Sequence, residues 1–397
     1  LDFESEKIYK LDNCGVERRK KIEIFTVCSG LGNIRRGFES FFKSCYNQLC
    51  GDPDVELYLY KGNGQTKGRE IVLRNIHRNR NVAIKLGGMI GRSGYFVEQL
   101  TFFISLLPQL FIKRPDVIYV SDVVLANLLR IPRPICGYRI LFNNNGPTHP
   151  EFLHRWDHIH QVSPEYLEAA MKAGVPMEKQ TLLPSAVQIP PQLTPLDLTE
   201  KNKLRRGLKL PVGRTLLLSV GAINTSRKRM GYLIKEVASL SEPRPFLLIL
   251  GAKENESDAL LKMGHRLLPG GFEARSVEKS EVAAYYQSAD VFALASMDEG
   301  FGLVYVEALS QGLPCLVHDY PTARFVLGDM GEYGCLSKQG ELAKMISDIG
   351  PEDVTAEKTD SRHAYTYEKF SWDRLKPAYI DMFYRCAGKD KPWPDIK

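Results

Sequence analysis

The sequence predicts an α/β protein built from two parallel-sheet domains. Three observations carry this. Strand-like and helix-like segments alternate in two successive series. The first strand of each series runs into a glycine turn. A proline-rich break, Ile189-Pro190-Pro191-Gln192-Leu193-Thr194-Pro195, separates the two. Strands alternating with helices imply a parallel sheet. Proline fixes φ and removes a backbone donor, so three in seven residues read as a linker.

The first series opens with a β-rich run, Lys21–Val27, followed by the turn Ser29-Gly30-Leu31-Gly32-Asn33 and a helix over Ile34–Phe42. Further strands are expected at Val55–Tyr60, Val117–Ser121, Arg139–Phe142, His158–Val162 and Thr181–Leu183. Helices are expected at Tyr95–Leu107, Val123–Leu129 and Pro164–Ala173. After the linker, strands are expected at Thr215–Val220, Phe246–Leu250, Phe272–Val277, Val291–Ala295 and Cys315–His318. The helices lie near Arg229–Ser239, Asp258–Leu267, Ser280–Gln287, Leu303–Gln311 and Leu342–Asp348. Ligands of such sheets bind outside the carboxyl ends of the strands, so two facing sheets would share one cleft site.

A length of 397 residues suits two domains. With 44% hydrophobic and 25% charged residues, the chain is neither disordered nor collagen-like nor a polytopic membrane protein. The longest apolar run, Leu100–Ile112, contains Pro108 and Gln109 and reads as too short for a bilayer span of about 20 residues. Asp2, Glu4 and Glu6, with no apolar run behind them, do not read as a secretory signal. None of the eight cysteines forms a C-x-x-C pair, and Cys28, Cys136 and Cys315 sit in apolar strand-like runs. Buried thiols in a reducing, cytoplasmic compartment are expected. The net charge of +6 makes nucleic acid an improbable partner. The excess is local: Lys61, Lys67, Arg69, Arg74, Arg78, Arg80, Lys85 and Arg92 face Glu70 alone between residues 61 and 92. This stretch is either a solvated face or a contact with an anionic acceptor, membrane surface or nucleotide.

The most informative segment is Ser296-Met297-Asp298-Glu299-Gly300-Phe301-Gly302-Leu303-Val304-Tyr305-Val306-Glu307-Ala308-Leu309, between two expected strands. Gly300 and Gly302 permit close backbone approach at a helix N-terminus, where orphan N–H groups and the helix dipole favour an anion such as a diphosphate. Glu299 lies in the turn and Glu307 two helical turns later, placed to accept bonds from a hydroxyl pair. The plainer alternative is an amphipathic helix with two solvated glutamates.

This E-x7-E segment resembles the signature of the retaining glycosyltransferases of family 4, which have the GT-B fold. Residues 219–230, from Ser219 through Gly221, Asn224, Arg227 and Lys228 to Met230, are similar to that family's diphosphate loop. Residues 285–292 resemble the run before its E-x7-E strand. Gly30-Leu31-Gly32 sits where the family has its N-terminal glycine loop, and Phe370-Ser371-Trp372-Asp373 resembles the start of its closing helix. The resemblance implies GT-B architecture: an acceptor-side Rossmann-like domain over 1–190, a donor-side domain over 191–370, and a closing helix and tail over 371–397 that cross back. It implies a nucleotide-diphosphate sugar donor, a UDP-sugar foremost, a hydroxyl acceptor, and neither cofactor nor metal. Glu307 would hold the ribose hydroxyls, Glu299 the donor sugar, the backbone of Gly300, Phe301, Gly302 and Leu303 the sugar and phosphate, and Lys228 the departing diphosphate. Gly30, Leu31, Gly32, Asn33, Gly221, Asn224 and Arg227 would complete the donor site. A fixed cation beside a leaving group that gains charge stabilises the transition state above the ground state.

One departure stands out. Where the family usually has an arginine after the loop glycine, this chain has Ala222, and Arg227 or Arg229 would have to supply the second charge. Retention without an obvious nucleophile suggests a front-face reaction, with Glu299 as a nucleophile the less favoured alternative. His149, in the loop after Arg139–Phe142, is a candidate to bond a sugar hydroxyl or orient the acceptor, or is a turn histidine without a role. Arg275 and Ser276 would flank the nucleobase or merely close a turn. The H-x3-H-x-H spacing of His154, His158 and His160 is not a common metal site, and Gly30-Leu31-Gly32 lacks the third glycine and following acid of a dinucleotide fingerprint. Rival readings are a GT-B phosphorylase or sugar-nucleotide epimerase, and a non-catalytic nucleotide-sugar or RNA-binding protein.

Overall fold

Ile22, Ile24, Phe25 and Val27 are all buried although they alternate in direction, which requires a sheet covered on both faces. In the computed structural model this strand, β1 (Ile22–Cys28), is followed by β2 (Val55–Lys61), β3 (Glu70–Val72), β4 (Val117–Val120), β5 (Arg139–Asn144), β6 (His158–Gln161) and β7 (Gln180–Leu182). The second series is β8 (Leu216–Val220), β9 (Phe246–Leu250), β10 (Phe272–Arg275), β11 (Val291–Leu294), β12 (Cys315–His318) and β13 (Gly331–Gly334). The structure describes residues 21–389 apart from 35, 36 and 147. The N-terminal segment judged not to be a signal, Cys14, and the end of the expected closing tail lie outside the described residues.

The strands form two sheets, β3-β2-β1-β4-β5-β6-β7 and β10-β9-β8-β11-β12-β13, with every named pair parallel. Each is doubly wound: the order reverses between β1 and β4 and again between β8 and β11, which opens a crevice at those strand ends. Register is fixed by apolar positions, as where Ile24 pairs with both Leu57 and Val117. One face of the first sheet packs on α1 (Gly37–Leu49) through Phe41, Phe42 and Leu49. The other packs on Phe102, Phe103, Leu106 and Leu110 of α3 (Gly94–Lys113). Between these helices in sequence lies the short α2 (Asn81–Met89).

The last described helix, Trp372–Ala387, leaves the second domain and packs on the first. Trp372, Tyr379 and Phe383 join the core of β1 and α1. The Trp372 indole donates to Ser44 (2.7 Å) and the Tyr379 hydroxyl to the Pro184 carbonyl (2.8 Å). Seven cysteines are described and all are free thiols.

Several elements were not expected. β3 reads as loop because Glu70 interrupts it, yet Glu70 is buried: Lys43 and Lys61 both bond its carboxylate. Burial pushes that carboxyl up, but the two lysines outweigh it and hold it below the usual range. α2 carries Gly87 and Gly88, which lower helix propensity, and β13 is bounded by glycines. α3 runs past Pro108 for 20 residues, so the apolar segment exceeds the length expected from Leu100–Ile112. By length and composition alone it is long and apolar enough to cross a membrane; Phe102, Phe103, Leu106 and Leu110 on one face are committed to the sheet core, while Ile104, Phe111 and Ile112 are exposed.

Candidate active site

The site forms at the reversal point of the second sheet, where the loops after β8 and β11 meet. After β8 the chain passes Gly221, whose N–H donates to the Leu250 carbonyl (2.8 Å). The buried Asn224 then organises the loop: its Oδ1 accepts from the backbone N–H of Lys228 (2.8 Å) and Arg227 (3.2 Å), and its Nδ2 donates to Glu254 (2.9 Å). The turn places the aliphatic stem of Lys228 across Gly221, where a Cβ would stand 3.1 Å from it. The Lys228 ammonium reaches the Glu299 carboxylate delivered by the loop after β11. Both side chains are largely withdrawn from solvent, at 16% and 11% exposure.

Gly302 caps the helix Leu303–Ser310 at φ 84°, a backbone conformation glycine adopts freely. The helix N-terminus therefore opens beside the Lys228–Glu299 pair. An anion there would meet one ammonium together with unpaired backbone N–H groups. Further along this helix, Glu307 accepts from the Tyr286 hydroxyl (3.1 Å) and pairs with Lys279. Burial first, and then Glu307, pushes the Tyr286 phenol up, so it stays a proton donor.

The first domain closes over this turn. A Cβ on Gly300 would lie 2.2 Å from the Asn145 carbonyl oxygen and 3.6 Å from the Tyr166 hydroxyl. Leu303 contacts Gly37 at the start of α1, so two helix N-termini meet across the cleft. Burial, then Glu165, Asp298 and Glu299, pushes the Tyr166 phenol up to about 12, which keeps it neutral. Tyr305 and Tyr320 share a hydrogen bond (3.1 Å), and burial raises both, with Glu299 adding to it. Sequence reasoning missed Tyr166, Tyr286, Tyr320, Asn145 and Lys279. Tyr286 and Asn145 lay in segments already singled out, the latter in the loop of His149; the others carry no local signal because the fold assembles them from distant loops.

Lys228, Glu299, Gly300, Gly302, Gly221 and Asn224 are thus brought together, with Arg227 exposed beside them and Glu307 along the helix. Other expected residues are not. The Phe301 side chain is buried against Phe370, so only its backbone reaches the turn. Arg275 is consumed by both oxygens of Glu273 (2.6 Å each) and by the Leu208 carbonyl (2.6 Å). It braces β10. Ser276 is exposed at the start of the loop that carries Lys279. The guanidinium of Arg229, the other candidate for the charge absent at Ala222, donates to the Leu336 carbonyl (2.8 Å) and lies over Tyr232. His149 is 63% exposed, with Glu151 and Phe152 as its neighbours.

The Gly30-Leu31-Gly32-Asn33 turn lies at the carboxyl end of β1 but packs on its own domain. Asn33 accepts from Asn63 (2.9 Å), and a Cβ on Gly32 would be 2.4 Å from the Asn63 carbonyl oxygen. The histidines do not converge. His160 lies between the Tyr119 hydroxyl and the Leu183 carbonyl (2.7 Å each), His158 bonds Thr181 (2.8 Å), and His154 bonds the Ala173 carbonyl (2.9 Å). Among the described residues no group of three or more His, Cys, Asp or Glu could hold a metal ion.

Residues 200–358 match the family described as Glycosyl transferases group 1. The chain is 27% identical over 234 residues to D-inositol 3-phosphate glycosyltransferase of Xylanimonas cellulosilytica, covering 55% of this chain and 54% of that one. It is 23% identical over 248 residues to alpha-galactosylglucosyldiacylglycerol synthase of Streptococcus pneumoniae, covering 60% and 63%. The matches therefore span about half to under two thirds of these relatives. Among solved structures, sucrose-phosphate synthase of Thermosynechococcus elongatus superposes with a TM-score of 0.74 at 16% identity, over 91% of this chain and 99% of that one. HepE of Anabaena in complex with UDP and glucose gives 0.65 at 15% identity, over 91% and 98%. The architecture is GT-B: two facing Rossmann-like sheets with a returning C-terminal helix.

Proposed function

We propose that the protein is a retaining, metal-independent glycosyltransferase that moves a sugar from a nucleotide-diphosphate sugar, most simply a UDP-sugar, to a hydroxyl acceptor. The observation that carries this reading is the Lys228–Glu299 pair at the glycine-capped start of the helix Leu303–Ser310, with Glu307 on that same helix. A diphosphate entering here would take Lys228 from Glu299 and lie against the helix N-terminus. Glu299, released, would accept bonds from the donor sugar. Glu307 would exchange Lys279 for the ribose hydroxyls. HepE, which shares the fold, was solved with UDP and glucose.

In this reading the acceptor oxygen bonds to the anomeric carbon from the face the diphosphate leaves. The carbon–oxygen bond to the phosphate breaks through an oxocarbenium-like state, and the acceptor proton passes to the departing phosphate oxygen. Lys228 stabilises the charge that develops there. The donor domain extends from the linker near residue 191 to about 370, and the acceptor enters along the domain before it. The seven described cysteines are free thiols, which suits a reducing compartment, and we place the protein in the cytoplasm with peripheral contact to a membrane surface. Thermal-shift titration with UDP-, GDP- and ADP-sugars tests the donor assignment, since a ligand that binds only the folded state raises the melting temperature. A shift with one of these sugars that Glu307→Ala abolishes is expected. An equal shift in the variant would refute the site.

A further inference from the structure

A second surface lies outside the cleft, on the first domain. From residue 71 to residue 97 the sequence contains no Asp or Glu. This segment leaves β3, forms α2 and enters α3. α2 is anchored by its small residues: Ala83 is fully buried, and a Cβ on Gly87 would stand 2.7 Å from the Arg92 carbonyl oxygen. The anchoring leaves Val82, Ile84, Leu86, Met89 and Ile90 exposed, Met89 to 83%. Arg80, Lys85 and Arg92 are exposed among them, and none has a carboxylate partner among the described residues. Arg74, also exposed and without a carboxylate partner among the described residues, has its carbonyl bonded by Ser105 of α3, next to the exposed Ile104. Phe111 and Ile112 extend the bared apolar stripe of that helix. The rest of the basic stretch is largely committed: Lys61 to Glu70, Arg69 to Glu56 and Arg78 to the buried Glu98.

Bared aliphatic side chains interleaved with unpaired cations, and no acid, match the headgroup layer of an anionic bilayer, where stems enter the acyl boundary and charges meet phosphates. A nucleic acid would use the cations but not five exposed aliphatic residues. We infer that α2 and the adjoining stripe of α3 dock the protein peripherally on an anionic lipid surface. Val82, Ile84, Met89 and Ile90 enter the headgroup boundary, while Arg74, Arg80, Lys85 and Arg92 hold lipid phosphates. α3 does not span, because Phe102, Phe103, Leu106 and Leu110 are held in the sheet core. The surface is one layer from the cleft: Asn75 donates to the Ser29 carbonyl (3.3 Å), and the Arg78 guanidinium is 3.7 Å from where a Cβ on Gly30 would be. If the glycosyltransferase reading holds, the acceptor side of the cleft then faces the bilayer and receives a membrane-resident hydroxyl compound.

Co-sedimentation of the full chain with vesicles tests the docking directly. Binding is expected to equal-part phosphatidylcholine–phosphatidylglycerol vesicles, not to phosphatidylcholine alone, and should weaken as salt is raised. Lys85→Glu with Arg92→Glu should weaken it about tenfold or more, and Ile84→Asn with Met89→Asn should remove it, both with unchanged melting temperature. Failure of the parent chain to bind the mixed vesicles, or binding by both variants equal to the parent, overturns the inference. So does a dimer in sedimentation equilibrium that the same substitutions dissolve, which would make a second copy the occupant. The donor-induced thermal shift of these variants should match the parent. Loss of vesicle binding with that shift intact separates this surface from the cleft, and absence of a donor shift in the parent would count against the cleft reading alone.

Discussion

The two sheets repeat one plan, a glycine turn after the first strand, and use it differently. In the first domain a Cβ on Gly32 would strike the Asn63 carbonyl at 2.4 Å and one on Gly62 the Ser29 carbonyl at 2.0 Å, so those glycines let backbone pack on backbone. In the second domain Gly251 packs on backbone in the same way, a Cβ there standing 1.8 Å from the Gly221 carbonyl oxygen, but the nearest neighbour of Gly221 itself is the stem of Lys228. The charges differ in the same way. Arg78 and Lys61 are tied to buried carboxylates inside their own domain, with Glu98 fully buried. Lys228–Glu299 and Lys279–Glu307 join different loops at the carboxyl ends of the second sheet, and in the proposed reading the donor divides them. Identical punctuation in sequence thus marks a structural turn in one domain and a deployable charge in the other.

Exchanging the two cations should break the comparison most sharply. Lys228→Met is expected to lower turnover by about 10²–10³, the cost of removing one fixed group at developing charge. Arg78→Met should instead cost roughly 3 kcal/mol of stability by stranding Glu98, with donor affinity unchanged. Steady-state kinetics and denaturant melts on both variants decide it, and equal kinetic damage would erase the distinction. Next in size, Glu307→Ala should weaken donor binding about 30–100-fold, the loss of two charge-assisted hydrogen bonds. Calorimetric titration reads this, and Tyr286→Phe should cost far less.

The glycines give a smaller contrast. Gly32→Ala places a Cβ at φ 91° against fixed backbone and should cost about 1–3 kcal/mol. Gly221→Ala meets only a flexible lysine stem at 3.1 Å, so stability should fall less while turnover falls as Lys228 is pushed aside. Chemical denaturation beside initial rates would show these effects crossing over, and parallel losses would contradict it.

Legibility follows the same division. The GT-B plan was readable because buried parallel strands are apolar runs: Phe246–Leu250 is unbroken and Leu216–Val220 is interrupted only by Ser219. Glu299, Gly302 and Glu307 lie within one short segment, so spacing exposes them. β3 was not readable, since the burial of Glu70 depends on Lys43 and Lys61 arriving from other elements. Sequence likewise cannot show that Glu273, two residues away, takes the Arg275 guanidinium. Tyr166 and Asn145 reach the cleft only through the approach of the first domain to Gly300.

Acid should distinguish the domains again. His158 and His160 sit on β6 in the first domain, and burial depresses both to about 4 from an ordinary 6.5. The unfolded chain binds protons there before the folded one does. The stability these neutral imidazoles contribute is therefore full above 6.5 and is lost as pH falls toward 4. By pH 5.5 the loss is about 1.4 kcal/mol for each group. Urea melts between pH 7 and 5 should show it, and His160→Gln should flatten the slope. A slope unchanged in that variant would remove His160 as its source.

The smallest effect is expected at His149, which sits on the first domain's side of the cleft region. A general acid or base contributes about 10²–10⁴ to rate when it reaches the reacting atoms. His149 is 63% exposed and turned to Glu151 and Phe152, without the buried partner that orients a catalytic imidazole. His149→Ala should therefore change turnover by less than about threefold, well under that range. A hundredfold loss with an unchanged melting temperature would mean that donor binding swings the loop after β5 inward. The chemistry would then be shared between the domains, not confined to the second.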